Sequence, residues 1–395
     1  MAVLPPELLL AITKDAAHDP SIFNLRLVSK ALNDLAKPIA LRVVVVNDSV
    51  KSARAVSFLQ GCDQSVTSLV RELVFCGDSE TVRPQNGFNW KNEDETSGAV
   101  GRQALKTVFS ALAKFRNLET LRLNFHASYQ EDPSLDVSNH PDATHFLKLQ
   151  DEIFATLAAH PPPPLVSLAL TNLLALPSDI YAKESFHLIF RSVRQLDISA
   201  LSNLDLEGSY SEECHLEFWD TSVAHMIRGA TSITELTVRS DQLFFVETVK
   251  NIFLPHLVSL SLHQFILEPA LPESDVVAFI LRHKATLTRL ELHGCSICGG
   301  EHYEFPRPWH AVLGLFEAEL GALCEFVLVG EVEEGPDLAE DAYERDRSLF
   351  NYTNLNPGIG YMPHEQEVPT EGLDLPALES LMAVVRSRRD SVRSP

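Results

Sequence analysis

Two clusters in the sequence carry residue types that bind metals. Cys295 and Cys298 form a C-x-x-C pair with His293 before it and His302 after it, the donors and spacing of a tetrahedral zinc site. That pair stands alone, and Cys295 has a second explanation given below. His126, Asp132, Asp136, His140, Asp142 and His145 share one stretch and would suit a harder cation, but no fixed helical spacing unites them. The chain has no G-x-S-x-G elbow, no phosphate-binding P-loop and no G-x-G-x-x-G turn. Carboxylate pairs carry no information in so acidic a protein. The expectation is therefore a protein without catalytic residues, metal or cofactor.

The charge balance points the same way. Against 54 Asp and Glu stand 32 Lys and Arg, a formal charge of −22. Such a chain repels phosphate backbones and anionic lipid, so neither nucleic acid nor a membrane is an expected partner, and protein partners fit better. Hydrophobic residues make up 45% of the 395, enough for a sizeable core. The first residues, MAVLPPELLLAITKD, lack the basic start and small-residue cleavage site of a signal peptide. The apolar stretch from Leu165 to Leu176 is too short to cross a bilayer. Six irregularly spaced cysteines fit a reducing compartment, which places the expected location in the cytoplasm, the nucleus or both.

The elements that position any site begin at the amino terminus. Pro5 and Pro6 suit a first helical turn, and Leu8, Leu9 and Ile12 follow on one side. After Asp19-Pro20, Leu25, Val28, Leu32 and Leu35 recur at three- and four-residue steps, and Lys37-Pro38 is expected to end that run. Some forty residues cannot bury such faces alone, so a docking module is implied. LPPELLLAI followed by LRLVSKALNDLA resembles an F-box, the helical motif by which substrate receptors dock onto the Skp-type adaptor of cullin–RING ubiquitin ligases. The resemblance rests on Leu4, Pro5, Glu7, Leu8, Ile12, Leu25, Leu27, Val28, Ser29 and Lys30, with Leu32 where many members carry Trp. It implies an adaptor-facing surface of Leu4, Pro5, Leu8, Ile12, Leu25, Leu27, Val28 and Leu32.

From residue 70 onward a six-residue pattern recurs: an aliphatic residue, two variable ones, an apolar residue, one variable, another apolar residue. The copies are VRELVF from Val70, LETLRL from Leu118, LVSLAL from Leu165, VRQLDI from Val193, ITELTV from Ile233, LVSLSL from Leu257, LTRLEL from Leu287 and LCEFVL from Leu323. Most follow a helix-period stretch, including Ala104 to Phe115, Phe244 to Phe253, Val276 to Leu281 and Trp309 to Leu320. Helix then strand, repeated, is the pattern of a solenoid. It resembles an irregular leucine-rich repeat, nearest at LTRLELHGC, where Cys295 takes the place of the repeat's buried Asn or Cys.

The expected fold is α/β: an F-box over 1–40, then an irregular leucine-rich-repeat solenoid over 41–330 with a parallel sheet and helices on the convex side. It includes a strand-and-helix lead-in at 41–62. A long acidic loop over 331–372 and a cap helix with tail over 373–395 complete it. Residues alternating with the buried positions face the concave side, which nominates Arg122, Asn124, Asp197, Arg239, His263, Arg289, Glu291 and His293 for target binding. The resulting expectation is the substrate-recognition subunit of a cullin–RING (SCF-type) ubiquitin ligase, with a Skp-type adaptor, a cullin scaffold and an unidentified protein substrate as partners. The alternative is a repeat-type binding scaffold unrelated to ubiquitination.

Overall fold

The computed structural model describes residues 6–15, 22–77, 95–126, 143–175, 178–201, 217–244, 252–268, 276–299, 305, 307–330, 349–356, 360–364, 368 and 370–393. It divides into two compact units, one of residues 1–126 and 152–167, the other of 127–151 and 168–395. Both are built of helices and mostly parallel strands. Among the described residues no helix is long and apolar enough to cross a membrane.

The first unit opens with three short helices, α1 (Pro6–Asp15), α2 (Ile22–Val28) and α3 (Lys30–Ala40). Ser29 separates the last two and caps α3, its hydroxyl accepting the Leu32 amide at 3.2 Å. Leu32, Ala36 and Ala40 recur every fourth residue along α3 and are buried; Ala36 and Ala40 cluster with Ile22. Pro38 does not end this helix, contrary to the expectation from Lys37-Pro38. Its missing amide would have served the Asp34 carbonyl, and both residues are exposed, so that acceptor is open to solvent.

Strand β1 (Val43–Asn47), α4 (Val50–Gln60) and a short α5 (Gln64–Thr67) follow, then β2 (Glu72–Cys76), α6 (Glu95–Phe109), a 3-10 turn (Leu112–Lys114) and β3 (Thr120–Asn124). The ladder β1–β2–β3 is parallel, with Val43 opposite Glu72 and Glu72 opposite Thr120. Helix α7 (Ala143–Ala159) ends within this unit.

The second unit carries β4 (Ser167–Leu174), a short α8 (Glu184–His187), β5 (Gln195–Leu201), a π-helical turn (Phe218–Val223) continued by α9 (Ala224–Gly229), β6 (Glu235–Phe244) and β7 (Ser259–Glu268). Next come α10 (Val276–Arg282), β8 (Arg289–His293), β9 (Ser296–Gly299), α11 (Trp309–Glu319), β10 (Glu325–Val329), β11 (Asn351–Asn356), β12 (Gly360–Pro363) and α12 (Asp374–Arg393). Each of the eight sequence copies becomes a strand that begins at its third residue. The pairing keeps them in phase: Gln195, Glu235, Ser259, Arg289 and Glu325, all third residues, stand side by side.

The hydrogen bonds repeat as well. In six of the seven successive pairs the second residue's carbonyl accepts the amides of the next copy's second and third residues, as Thr234 does for Val258 and Ser259 at 2.8 and 3.0 Å, and Thr288 for Cys324 and Glu325 at 2.8 and 2.9 Å. First, fourth and sixth residues are at most 4% exposed throughout, except Leu328 on edge strand β10. Arg42 performs the same bifurcated acceptance for Arg71 and Glu72, and Val44 and Val46 are buried. LRVVVV from Leu41 is thus a ninth copy in the same register.

Several elements differ from the sequence reading. The helix expected from Phe244 starts as strand, since β6 runs to Phe244; residues 245–251 lie outside the described set. Within 331–372, read as one acidic loop, β11 pairs with β9 in parallel and with β12 antiparallel; the acidic run from Glu331 to Asp346 lies outside the described residues. This second ladder exists because the eighth residue of a copy turns left-handed. Gln264 has φ 62°, dividing β7 between pairing with β8 and pairing with β9, and Gly294 at φ 55° separates β8 from β9. A Cβ on Gly294 would lie 2.7 Å from the Gln264 amide nitrogen, so the two kinks nest only with glycine.

Helix α12 starts at Asp374, two residues before Pro376, and buries Leu381 and Val385. It holds α11 at both ends. α11's own N-cap, Pro308, offers no side-chain acceptor; Asp374 Oδ1 accepts the His310 amide at 2.8 Å instead. Arg388 donates to the carbonyls of Leu320 and Glu317 at 2.8 and 2.9 Å.

Candidate functional site

The adaptor-facing set nominated by the sequence splits into four groups. Leu8, Ile12, Leu27 and Val28 are 51%, 43%, 86% and 68% exposed, and the same short helices also expose Leu10 and Phe23. Leu25 is half-buried. Leu32 is 8% exposed and does not belong to an outward surface: it shares the inward stripe of Ala36 and Ala40. Leu4 and Pro5 lie outside the described residues. Among the described residues the N-terminal helices therefore carry large aliphatic side chains and one aromatic outward over only three short elements.

In the first unit the outward strand positions bring Arg122 against Glu72, with Nε 2.7 Å from Oε1. Val45 stands opposite Val74, and Val74 opposite Arg122. Asn124 accepts the Gly77 amide through its main-chain carbonyl at 2.7 Å. Glycine is needed there, because a Cβ would meet His126 at 2.8 Å. His126 itself pairs with Asp48, Nε2 to Oδ2 3.1 Å, while the other members of its proposed metal cluster, from Asp132 to Asp142, lie outside the described residues and nothing of the His145 side chain is described.

In the second unit the nominated residues converge. Asp197 Oδ2 lies 3.3 Å from Arg239 Nη2 on the neighbouring strand. His263 and His293, facing positions of β7 and β8, stack with ring centroids 4.1 Å apart and planes 3° from parallel. The Ser261 hydroxyl is 3.0 Å from His263 Nε2, and Glu291 Oε2 is 3.6 Å from His293 Nε2. Partial burial pushes His263 down to about 4, aided by the neighbouring His293 and Arg239 and opposed by Glu291, so the stack holds a neutral imidazole at neutral pH. Partial burial also pushes the Glu291 carboxyl up, but hydrogen bonds from Arg289 and Ser261 outweigh it and hold the group below the usual range. Arg289 Nε donates to Glu291 at 2.9 Å and sits 3.6 Å from Glu325. This face is a lattice of compensated charge around a paired imidazole core.

The cysteine pair is turned inward. Cys295 is buried, its thiol donating to the Leu262 carbonyl at 3.5 Å, and burial pushes it up to about 12, away from the thiolate a metal requires. Cys298 is also buried; His302 lies outside the described residues. Among the described residues no group of three or more His, Cys, Asp or Glu is placed to hold a metal ion.

One polar cluster escaped sequence reasoning. Asp374, wholly buried, accepts the Tyr352 hydroxyl at 2.7 Å and faces His310 Nδ1 at 3.3 Å. Burial raises both the carboxyl and the phenol above their ordinary ranges. Its members come from α11, β11 and α12 and share no spacing; the one usable signal was an acidic residue just ahead of Pro376. No family model matches the chain, and no curated protein matches it either.

Proposed function

We propose that the chain is a non-catalytic substrate receptor of a cullin–RING ubiquitin ligase. The observation that carries this reading is the exposed apolar set Leu8, Ile12, Leu27 and Val28 on two helices too short to be stable alone. As an F-box it would dock into the Skp-type adaptor's groove, burying those side chains in a helix-in-groove contact. The in-phase strands support a leucine-rich-repeat solenoid, whose outward strand positions hold a protein target. Catalysis then works by proximity: two binding sites on one chain raise the target's effective concentration beside a ligase-bound conjugating enzyme, in the cytoplasm or nucleus, with no reacting group from this chain.

The test is co-purification of a Skp-type adaptor with the full chain and with the double variant Leu8→Asp, Val28→Asp. Both positions are exposed, so circular dichroism should be unchanged. The wild type is expected to retain the adaptor and the folded variant to lose it. A wild type that fails to bind would sink the reading and leave a repeat-type scaffold whose first helices are a cap.

A further inference from the structure

Strand β1 has one used edge and one open edge. The Arg42 carbonyl accepts from Arg71 and Glu72 at 2.8 and 3.0 Å, and the Asp48 amide donates to the Cys76 carbonyl at 3.0 Å. Main-chain groups of a parallel strand alternate between its two neighbours, so Arg42, Val44, Val46 and Asp48 address β2, while Val43, Val45 and Asn47 address the other side. The Asn47 amide is taken by Ser52 Oγ at 2.9 Å. The amides and carbonyls of Val43 and Val45 have no main-chain partner among the described residues.

That edge lacks the usual guards. It contains no Lys, Pro or bulge, and its four consecutive valines are strong strand formers. Val43 and Val45 are 43% and 50% exposed. The charge around it is also unlike the rest of the chain. Over 41–62 stand Arg42, Lys51 and Arg54 against one acid, Asp48, in a protein of net charge −22. All three cations are exposed, and none forms an ion pair among the described residues, whereas Arg71, Arg122, Arg239 and Arg289 each have a carboxylate.

We propose that the open edge of β1 receives an extended, acidic segment of a partner protein with apolar residues at alternate positions, added as a further strand. Main-chain bonds to Val43 and Val45 supply the affinity, alternate apolar side chains lie along the two valines, and carboxylates meet Arg42, Lys51 and Arg54. A second copy of the chain is the poorer occupant, since it brings the same cations to the contact and a like net charge to the pair.

The experiment uses the full chain and two labelled synthetic peptides of about ten residues, the length of a long strand, one alternating glutamate with valine and one alternating lysine with valine, read by fluorescence anisotropy. Val45→Pro removes an edge donor that β2 does not use, a substitution edge strands tolerate. Arg42→Glu with Arg54→Glu removes the charge match without touching the main chain, so the test survives if the proline variant misfolds. The glutamate peptide is expected to bind, the lysine peptide at least about tenfold more weakly, and each variant to lose about tenfold for the glutamate peptide, roughly one hydrogen bond or one exposed charge cluster. Equal binding of both peptides, or an affinity untouched by folded Val45→Pro, would overturn the proposal. So would sedimentation as a dimer that Val45→Pro dissolves, which would assign the edge to a second copy. Adaptor binding through α1 and α2 is independent of every one of these outcomes.

Discussion

The strand copies and the N-terminal helices obey the same rule of apolar periodicity with opposite results. In the eight copies from Val70 onward every first and fourth residue is at most 4% exposed, whereas in α1 and α2 Leu8, Leu27 and Val28 stay more than half exposed. A strand copy inside the ladder, such as β6 or β7, has neighbours in register on both sides, so its apolar residues find cover within the chain. The ten-residue α1 and the seven-residue α2 do not, and the small cluster of Ile22, Ala36 and Ala40 joins only α2 to α3. Periodicity thus predicts which face wants burial, and only the count of available neighbours says whether the chain itself supplies it.

That contrast can be broken at its strongest point. Leu290→Ala, inside the array, is expected to cost about 2–5 kcal/mol in urea denaturation, while Leu27→Ala should fall within about 0.5 kcal/mol of wild type. Equal costs would mean that the N-terminal helices are packed as firmly as the strands. Next in size, Asp374→Ala removes the acceptor of two hydrogen bonds from Tyr352 and the His310 amide. It should cost about 2–3 kcal/mol and speed hydrogen exchange at His310 while leaving α2 and α3 unchanged.

The imidazole stack sharpens the comparison through pH. His263 in the fold lies well below its ordinary 6.5, so the stability it lends by staying neutral is complete above about 6.5 and is lost as pH falls towards about 4. Against His263→Asn, wild type should lose about 1–2 kcal/mol between pH 7 and pH 4, allowing for solvent screening at a half-buried group. A parallel decline of both proteins would deny the stack that role. The smallest effect belongs to the surface: Arg289→Ala breaks exposed pairs with Glu291 and Glu325 and should change stability by no more than about 1 kcal/mol. Any large loss on binding a target would then report on recognition rather than folding.

The strand copies were legible because burial imposes the same three apolar positions on each, but their register at degenerate copies such as LCEFVL comes from the ladder. The ninth copy hid because LRVVVV places valine at every position from the third to the sixth, blurring the period of two. Strand β9 and the β11–β12 pair depend on left-handed turns at Gln264 and Gly294, and a glutamine there carries no sequence signal for such a turn. Leu32 was misassigned from the motif, although its four-residue spacing to Ala36 and Ala40 marked the inward side. In the candidate surfaces, residue types were readable but pairings were not: nothing in the sequence places His263 upon His293 without the ladder between β7 and β8.

The grip of α12 on α11 also bears on the order in which the chain takes shape. The acceptor for the His310 amide arrives 64 residues later, and the donor for the Leu320 carbonyl 68 residues after it. At ribosomal speeds of about 5–20 residues per second, α11 waits roughly 3–14 s for its ends to be satisfied. Among the described residues no other helix end is satisfied from so far along the chain. During synthesis α11 is therefore the helix whose ends wait longest, and the emergence of Arg388 completes its C-terminal end.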